Sequence, residues 1–236
     1  MKHRSAAVLL LFTLLVSASV HSVRAQESRG ENPEKSVYSS HVNEENKIAL
    51  TFDDGPHPVY TPIILDILKE YNIHATFFLI GENAQRYPEL VRRIQSEGHE
   101  IGNHTYCHAK LKENTPEKIR EEILNAEDIL LQIGDQRPKL LRPPGGLYDR
   151  NVCDAAKGLD YDIILWTIDT LDWAHTPVGE IVEKVEKNIQ SGDIILCHDF
   201  VGGGPSPTPE AVRILIPKLL GREYEFVTVS ELIHSC

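Results

Sequence analysis

Two short stretches of this 236-residue chain concentrate groups that could do chemistry, TFDDGP at residues 51–56 and HTYCH at residues 104–108. Asp53 and Asp54 cannot both project to one side of an extended strand, because successive side chains alternate across it. At a strand end, one carboxylate can serve a metal ion while the other faces whatever the ion activates. Taken alone, Asp-Gly-Pro is also ordinary turn chemistry. His104 and His108 stand one helical turn apart if the segment coils, which would bring both rings within reach of one ion. A carboxylate from another strand end would complete a His₂Asp set with an open position, the pattern of a catalytic rather than a structural metal site. Asn103-His104-Thr105 also matches a glycosylation sequon, although a glycan there would obstruct the proposed site. In LCHDF (196–200), Leu196 and His198 share one strand face, and Cys197 points to the other, where it is expected in the core.

These residues need elements that bring them together. Lys47–Phe52 is a mostly apolar run that stops at Asp-Asp-Gly-Pro, as a strand running into a turn does. Thr61-Pro62 offers an N-cap and a first-turn proline for a helix with Ile64, Leu65, Leu68 and Tyr71 on one face. Further strands are expected at 75–80, 100–102, 140–141, 163–166, 193–198 and 225–228. Helices are expected at about 88–97, 115–134, 149–157, 179–190 and 208–220. Seven strands alternating with helices predict an α/β architecture with parallel strands, either a closed or partly closed barrel or an open doubly wound sheet. In a parallel barrel the strand C-termini share one face. Asp53, Asp54, His104, His108, Arg142, Asp172 and His198 all fall at or just after such ends.

The N-terminus carries the parts of a secretory signal: Lys2 and Arg4, an apolar run from Ala6 to Val20, and a small residue at Ala25. Residues 1–25 are therefore expected to be a signal peptide, with an uncleaved anchor as the alternative, and no stable membrane span is expected after cleavage. Residues 26–46 are polar and read as a disordered lead-in. Residues 47–236 have the length of one catalytic domain with one sizeable core. The whole chain has a formal charge of −11; removing residues 1–25 takes away three basic residues and no acidic one, leaving −14. Such a surface argues against nucleic acid, whose phosphates demand Lys and Arg. Among the four cysteines, Cys107, Cys153, Cys197 and Cys236, no spacing marks a disulfide, and buried free thiols are as compatible as bridges with a core of this length.

Taken together, the motifs resemble those of the polysaccharide deacetylases of carbohydrate esterase family 4. The ordered blocks are TFDDGP (51–56), HTYCH (104–108), RPPGG (142–146), DTLDW (169–173) and LCH (196–198), and the resemblance spans Lys47 to Cys236. It implies a distorted seven-stranded parallel (β/α) barrel that removes N-acetyl groups from amino-sugar polymers such as chitin or peptidoglycan. Some members of the family instead cleave acetyl esters of xylan, and a glycan-binding relative without catalysis is the remaining alternative. The cofactor implied is one divalent metal, usually Zn²⁺, with Co²⁺, Ni²⁺ or Fe²⁺ compatible with nitrogen and oxygen ligands. By the same resemblance Asp54, His104 and His108 are the metal ligands, Asp53 the base, His198 the general acid with Asp172 bound to it, and Arg142 the partner of Asp53. Trp173 and Leu196 line the acetyl pocket, and the Gly145 N–H serves the oxyanion. Gly145 stands where the family often has an aromatic residue, which keeps the backbone donor but removes a wall of the groove. A monomer is expected, with an amino-sugar polysaccharide as its partner.

Overall fold

Lys47–Asp53 organises the sheet. Ile48, Leu50 and Phe52 alternate with Ala49, Thr51 and Asp53, and every residue after Lys47 is buried, as expected of a parallel strand covered on both faces. The computed structural model describes residues 37–41, 45–134 and 136–234. The expected signal peptide, most of the expected lead-in, and Cys236 lie outside these residues. Numbered along the chain, the strands are β1 (Val37–Tyr38), β2 (Lys47–Asp53), β3 (Thr76–Leu79), β4 (Glu100–Asn103), β5 (Leu140–Leu141), β6 (Asp162–Ile164), β7 (Ile168–Asp169), β8 (Ile194–His198) and β9 (Glu225–Val227). The helices are α1 (Tyr60–Glu70), α2 (Gly81–Arg86), α3 (Pro88–Ser96), α4 (Pro116–Gly134), α5 (Arg150–Gly158), α6 (Val178–Asn188), α7 (Thr208–Leu220) and α8 (Val229–Ile233).

All ladders between these strands are parallel, in the order β1-β6-β5-β4-β3-β2-β8-β7, with β9 pairing the first half of β2. The sheet curls into a half-barrel with helices, a distorted (β/α) barrel. The alternation of β2 and β8 sorts the core. Ile48, Leu50, Phe52, Ile195 and Cys197 join the apolar layer under α1, α3, α6 and α7. Ala49 and Ile194 face a second cluster with Phe78, Leu140 and Ile164, which Val229, Leu232 and Ile233 of α8 complete. Each large apolar side chain so buried contributes roughly 1.5–3 kcal/mol.

Register then places the chemistry. Asp53 pairs with His198 across β2 and β8, and Asn103 pairs with Leu141 across β4 and β5. The residues that follow, His104 and Arg142, are therefore neighbours at the same rim.

The seven expected strands are all present, and β1 and β7 add to them. Within the stretch expected to be a disordered lead-in, residues 37–38 form β1, while most of that stretch lies outside the described residues. Val37 and Tyr38, β-branched and aromatic, pair with Ile163 and Ile164 of β6 and cover the sheet edge. α2 and α8 were not anticipated; α8 is short but has a capping box between Thr228 and Glu231. Thr61 does not cap α1, which begins one residue earlier. Its hydroxyl accepts the His57 N–H at 2.7 Å and donates to the Asp199 carboxylate. No helix among the described residues is long and apolar enough to cross a membrane.

Candidate active site

Asp53 ends β2 in extended backbone, whereas Asp54 adopts a left-handed conformation with φ of 73°. That one change separates the neighbouring carboxylates. Asp53 Oδ1 accepts a 2.7 Å bond from Arg142 Nη1, inside the barrel. Asp54 Oδ1 instead lies 3.3 Å from Nε2 of both His104 and His108.

The two imidazoles converge by a different route from the helical turn expected. Residues 104–108 form a loop in which Thr105 and His108 have φ of 66° and 59°. The ring centroids end 5.1 Å apart. Glu122 on α4 holds the loop from outside, accepting the N–H groups of Tyr106 and Cys107 at 3.1 and 3.2 Å. The sequon is closed to a glycan. Asn103 is fully buried, with Nδ2 donating to Ile123 O and Tyr161 Oη and Oδ1 accepting the Thr105 N–H.

The donor set fits a cation. His104 donates from Nδ1 to the Arg142 carbonyl at 2.7 Å, so its Nε2 turns a lone pair toward Asp54. Asp54 Oδ1 is buried without a hydrogen-bond partner among the described residues. Ligand atoms of Asp54, His104 and His108 all lie within 4.8 Å of one another, as a single ion requires. Without an ion, burial raises the Asp54 pKa, but His104, His198 and His108 in their protonated forms outweigh it and hold the carboxyl below its ordinary value. Cys107 is not part of this set: its Sγ lies 3.2 Å from Glu122 Oε1, and burial and that carboxylate push the thiol up to about 11.

Arg142 is fully buried and well satisfied. Beyond Asp53 it donates to Thr51 Oγ1 at 2.8 Å, Ile164 O at 3.2 Å and Leu165 O at 3.0 Å. Its guanidinium also lies 4.1 Å over the Phe78 ring, which packs directly on Gly102, where any Cβ would collide with it. A buried charge with this many partners holds one geometry.

His198 forms the opposite wall. Its Nδ1 lies 2.8 Å from Asp172 Oδ1, and its own N–H donates to Asp172 Oδ2 at 2.7 Å. Thr208 Oγ1 and the Trp173 N–H also donate to Asp172, at 2.6 and 2.9 Å. Burial pulls the His198 pKa down, but the bond and charge of Asp172, with Asp53 and Asp54, lift it to about 9. Leu196, on the same strand face, is buried, whereas Trp173 is 54% exposed at the rim. Gly145 sits in a 3₁₀ turn, Pro144–Gly146, with φ of 65°, and Gly146 donates its N–H to Pro143 O at 2.8 Å. At that φ a side chain would be strained, which suits glycine here.

Asp199, Thr61 and Thr208 were not identified from the sequence. Asp199 is fully buried; burial and the neighbouring carboxylates raise it to about 7 against the Thr61 bond. Its N–H donates to Asp53 O at 3.2 Å, and it packs so closely on Gly55 that no Cβ fits there. The direct adjacency of Asp199 to His198 was a signal; Thr208, 36 positions from Asp172, gave none.

A half-barrel whose rim gathers two imidazoles, two divergent carboxylates, a buried arginine and a histidine–aspartate pair has the groups of a hydrolase site that could hold a metal ion. The chain belongs to the polysaccharide deacetylase family, whose profile matches residues 40–164. A peptidoglycan-N-acetylglucosamine deacetylase of Bacillus cereus is 45% identical, over 81% of this chain and 90% of its own length. A chitooligosaccharide deacetylase of Bradyrhizobium is 34% identical over 81% of this chain and 92% of its own length. The crystal structure of the Bc1960 peptidoglycan N-acetylglucosamine deacetylase, in complex with 4-naphthalen-1-yl-N-oxidanyl-benzamide, superposes with a TM-score of 0.82 at 37% identity, covering 85% of this chain and 94% of that one.

Proposed function

We propose that this chain is a metal-dependent hydrolase that removes N-acetyl groups from N-acetylglucosamine-containing polysaccharide, of peptidoglycan or chitin type, and releases acetate outside the cytoplasm. The observation that carries this reading is the convergence of three lone-pair donors, Asp54 Oδ1, His104 Nε2 and His108 Nε2, between the Asp53–Arg142 and His198–Asp172 pairs. Relatives named as deacetylases of such polymers support the substrate class.

Asp54, His104 and His108 would hold the ion, and a bound ion would lower the pKa of its water and polarise the acetamide carbonyl. Nitrogen and oxygen ligands suit zinc, and also cobalt, nickel or iron. Asp53 takes a proton from the attacking water, and Arg142 fixes the orientation of that carboxylate. The water oxygen bonds to the carbonyl carbon, and the Gly145 N–H serves the developing oxyanion. The C–N bond then breaks, and His198 delivers its Nε2 proton to the departing sugar nitrogen. Asp172 holds the ring by Nδ1 and keeps it protonated for that step. Leu196 and Trp173 enclose the acetyl methyl. All these groups come from this chain, and the −11 charge supports a partner other than nucleic acid.

The test is acetate release from purified peptidoglycan, defined chitin oligomers and acetylxylan, side by side with added zinc. Release from the amino-sugar polymers is expected. Release from acetylxylan alone would make the chain an ester hydrolase, and none from any substrate would make it a non-catalytic relative.

A further inference from the structure

Three aromatic rings beside the site have no part in the chemistry above. His57 stacks on Phe200 with centroids 5.0 Å apart and planes 15° from parallel, and on Tyr60 at 5.0 Å and 21°. Phe200 follows His198 by two residues, and His57 follows Asp54 by three, so the stack is built on the same two loops as the site. Hydrogen bonds hold two of its rings in place. His57 Nδ1 accepts the N–H groups of Val59 and Tyr60 at 3.2 and 3.3 Å, and its own N–H donates to Thr61. Tyr60 Oη accepts the Ser206 N–H at 3.1 Å. The segment after Phe200 is tied on its other side, where His175 Nε2 lies 2.8 Å from Gly202 O. Yet Phe200 remains 40% exposed, so an apolar ring stacked on His57 keeps surface in solvent.

We infer that the Phe200–His57–Tyr60 stack is a sugar-binding platform, on which Phe200 takes the apolar face of a pyranose next to the residue being deacetylated. This deepens the proposed function and rests on it. A β-linked amino-sugar ring carries its hydroxyl and acetamido groups around its edge and exposes C–H bonds on its faces. Those weakly positive C–H groups match the negative face of an aromatic ring. Phenylalanine has no polar atom to read a particular hydroxyl, so the platform recognises the shape of the ring and extends binding along the polymer. A polymer crossing the rim at His198 must pass the neighbouring loops, and Phe200 offers an exposed aromatic surface on one of them. Its stacking on His57 matters, because a ring already packed on one face has less to order on binding.

The experiment compares wild type with Phe200→Ala, Phe200→Leu and Phe200→Trp on short and long N-acetylglucosamine oligomers. Acetate release and calorimetric binding are both measured, and the unfolding midpoint checks each fold. Phe200→Ala is expected to raise KM and Kd for long oligomers by about threefold to tenfold, the range for one lost aromatic contact. The effect should shrink as the oligomer shortens; tryptophan should restore it and leucine should not. An equal effect at every length, a leucine variant as good as phenylalanine, or unchanged binding throughout would overturn the platform. If wild type releases no acetate from any oligomer, the deacetylase reading fails, and the calorimetry still decides whether Phe200 binds sugar.

Discussion

Asp53 and Asp54 are covalent neighbours whose carboxylates are committed to different partners by one backbone torsion. The φ of 73° at Asp54 turns its Oδ1 to within 3.3 Å of two imidazoles, while Asp53 stays against Arg142 at 2.7 Å. The pair therefore divides into a group that can bind an ion and a group that can move a proton.

Asparagine at each position should separate those roles. Asp53→Asn keeps the shape and the Arg142 contact but cannot take a proton at neutral pH. It is expected to retain bound zinc and to lose turnover by about a hundredfold or more. Asp54→Asn should lose zinc affinity first, with activity partly regained in excess metal. Metal content by atomic emission, measured with turnover on one substrate, distinguishes them; zinc loss tracking Asp53 would exchange the assignments.

His104→Ala should lose most bound metal, since its ring, fixed by the Arg142 carbonyl, faces Asp54 from a fully buried position. Cys107→Ser should keep both metal and activity, because the thiol faces Glu122 rather than the Asp54 cluster. Stoichiometric zinc in the first variant, or a large zinc loss in the second, would count against the ligand set.

Much of this arrangement was legible in the sequence because parallel strands place their C-termini on one face. Once Lys47–Phe52 and the run ending at His198 read as strands, Asp53 and His198 had to share a rim, and the register makes them direct partners. What stayed hidden depends on single torsions and on contacts distant in sequence. The spacing of His104 and His108 suggested a helix, but left-handed residues at 105 and 108 bring the rings together in a loop. Thr208 reaches Asp172 only because α7 begins beside the 172–174 turn, which no local pattern records. Two-residue strands such as β1 and β7 carry too few side chains to show a period.

The high His198 pKa depends on Asp172, so Asp172→Asn should shift the alkaline limb of kcat/KM to lower pH. The carboxylate of Asp172 raises the His198 pKa; without it only Asp53 and Asp54 oppose burial, and the proton leaves earlier. A pH–rate profile reads the displacement, and an unmoved alkaline limb would show that a group other than His198 sets it. Thr208→Val, which removes one bond to Asp172 and leaves its charge, should move the limb less.

His99 gives a pH dependence of stability away from the active site. It is buried, accepts the Ala75 N–H on Nδ1 at 3.3 Å, and packs edge-on to Phe77 and His74. Burial, and then the neighbouring His74, lower its pKa to about 4, with Glu97 opposing and Arg93 assisting. The unfolded imidazole titrates near 6.5, so between pH 6.5 and 4 the unfolded chain binds more protons than the folded one. The contribution is fully present above 6.5 and is lost as pH falls through this window, by up to about 3 kcal/mol. His99→Gln keeps an acceptor for Ala75 but cannot titrate. Its denaturation midpoint should fall less steeply than that of wild type from pH 6.5 to 4, while at pH 7.5 it should be the less stable protein by about 1 kcal/mol. Parallel curves for the two proteins across that window would show that His99 is not held neutral by the fold.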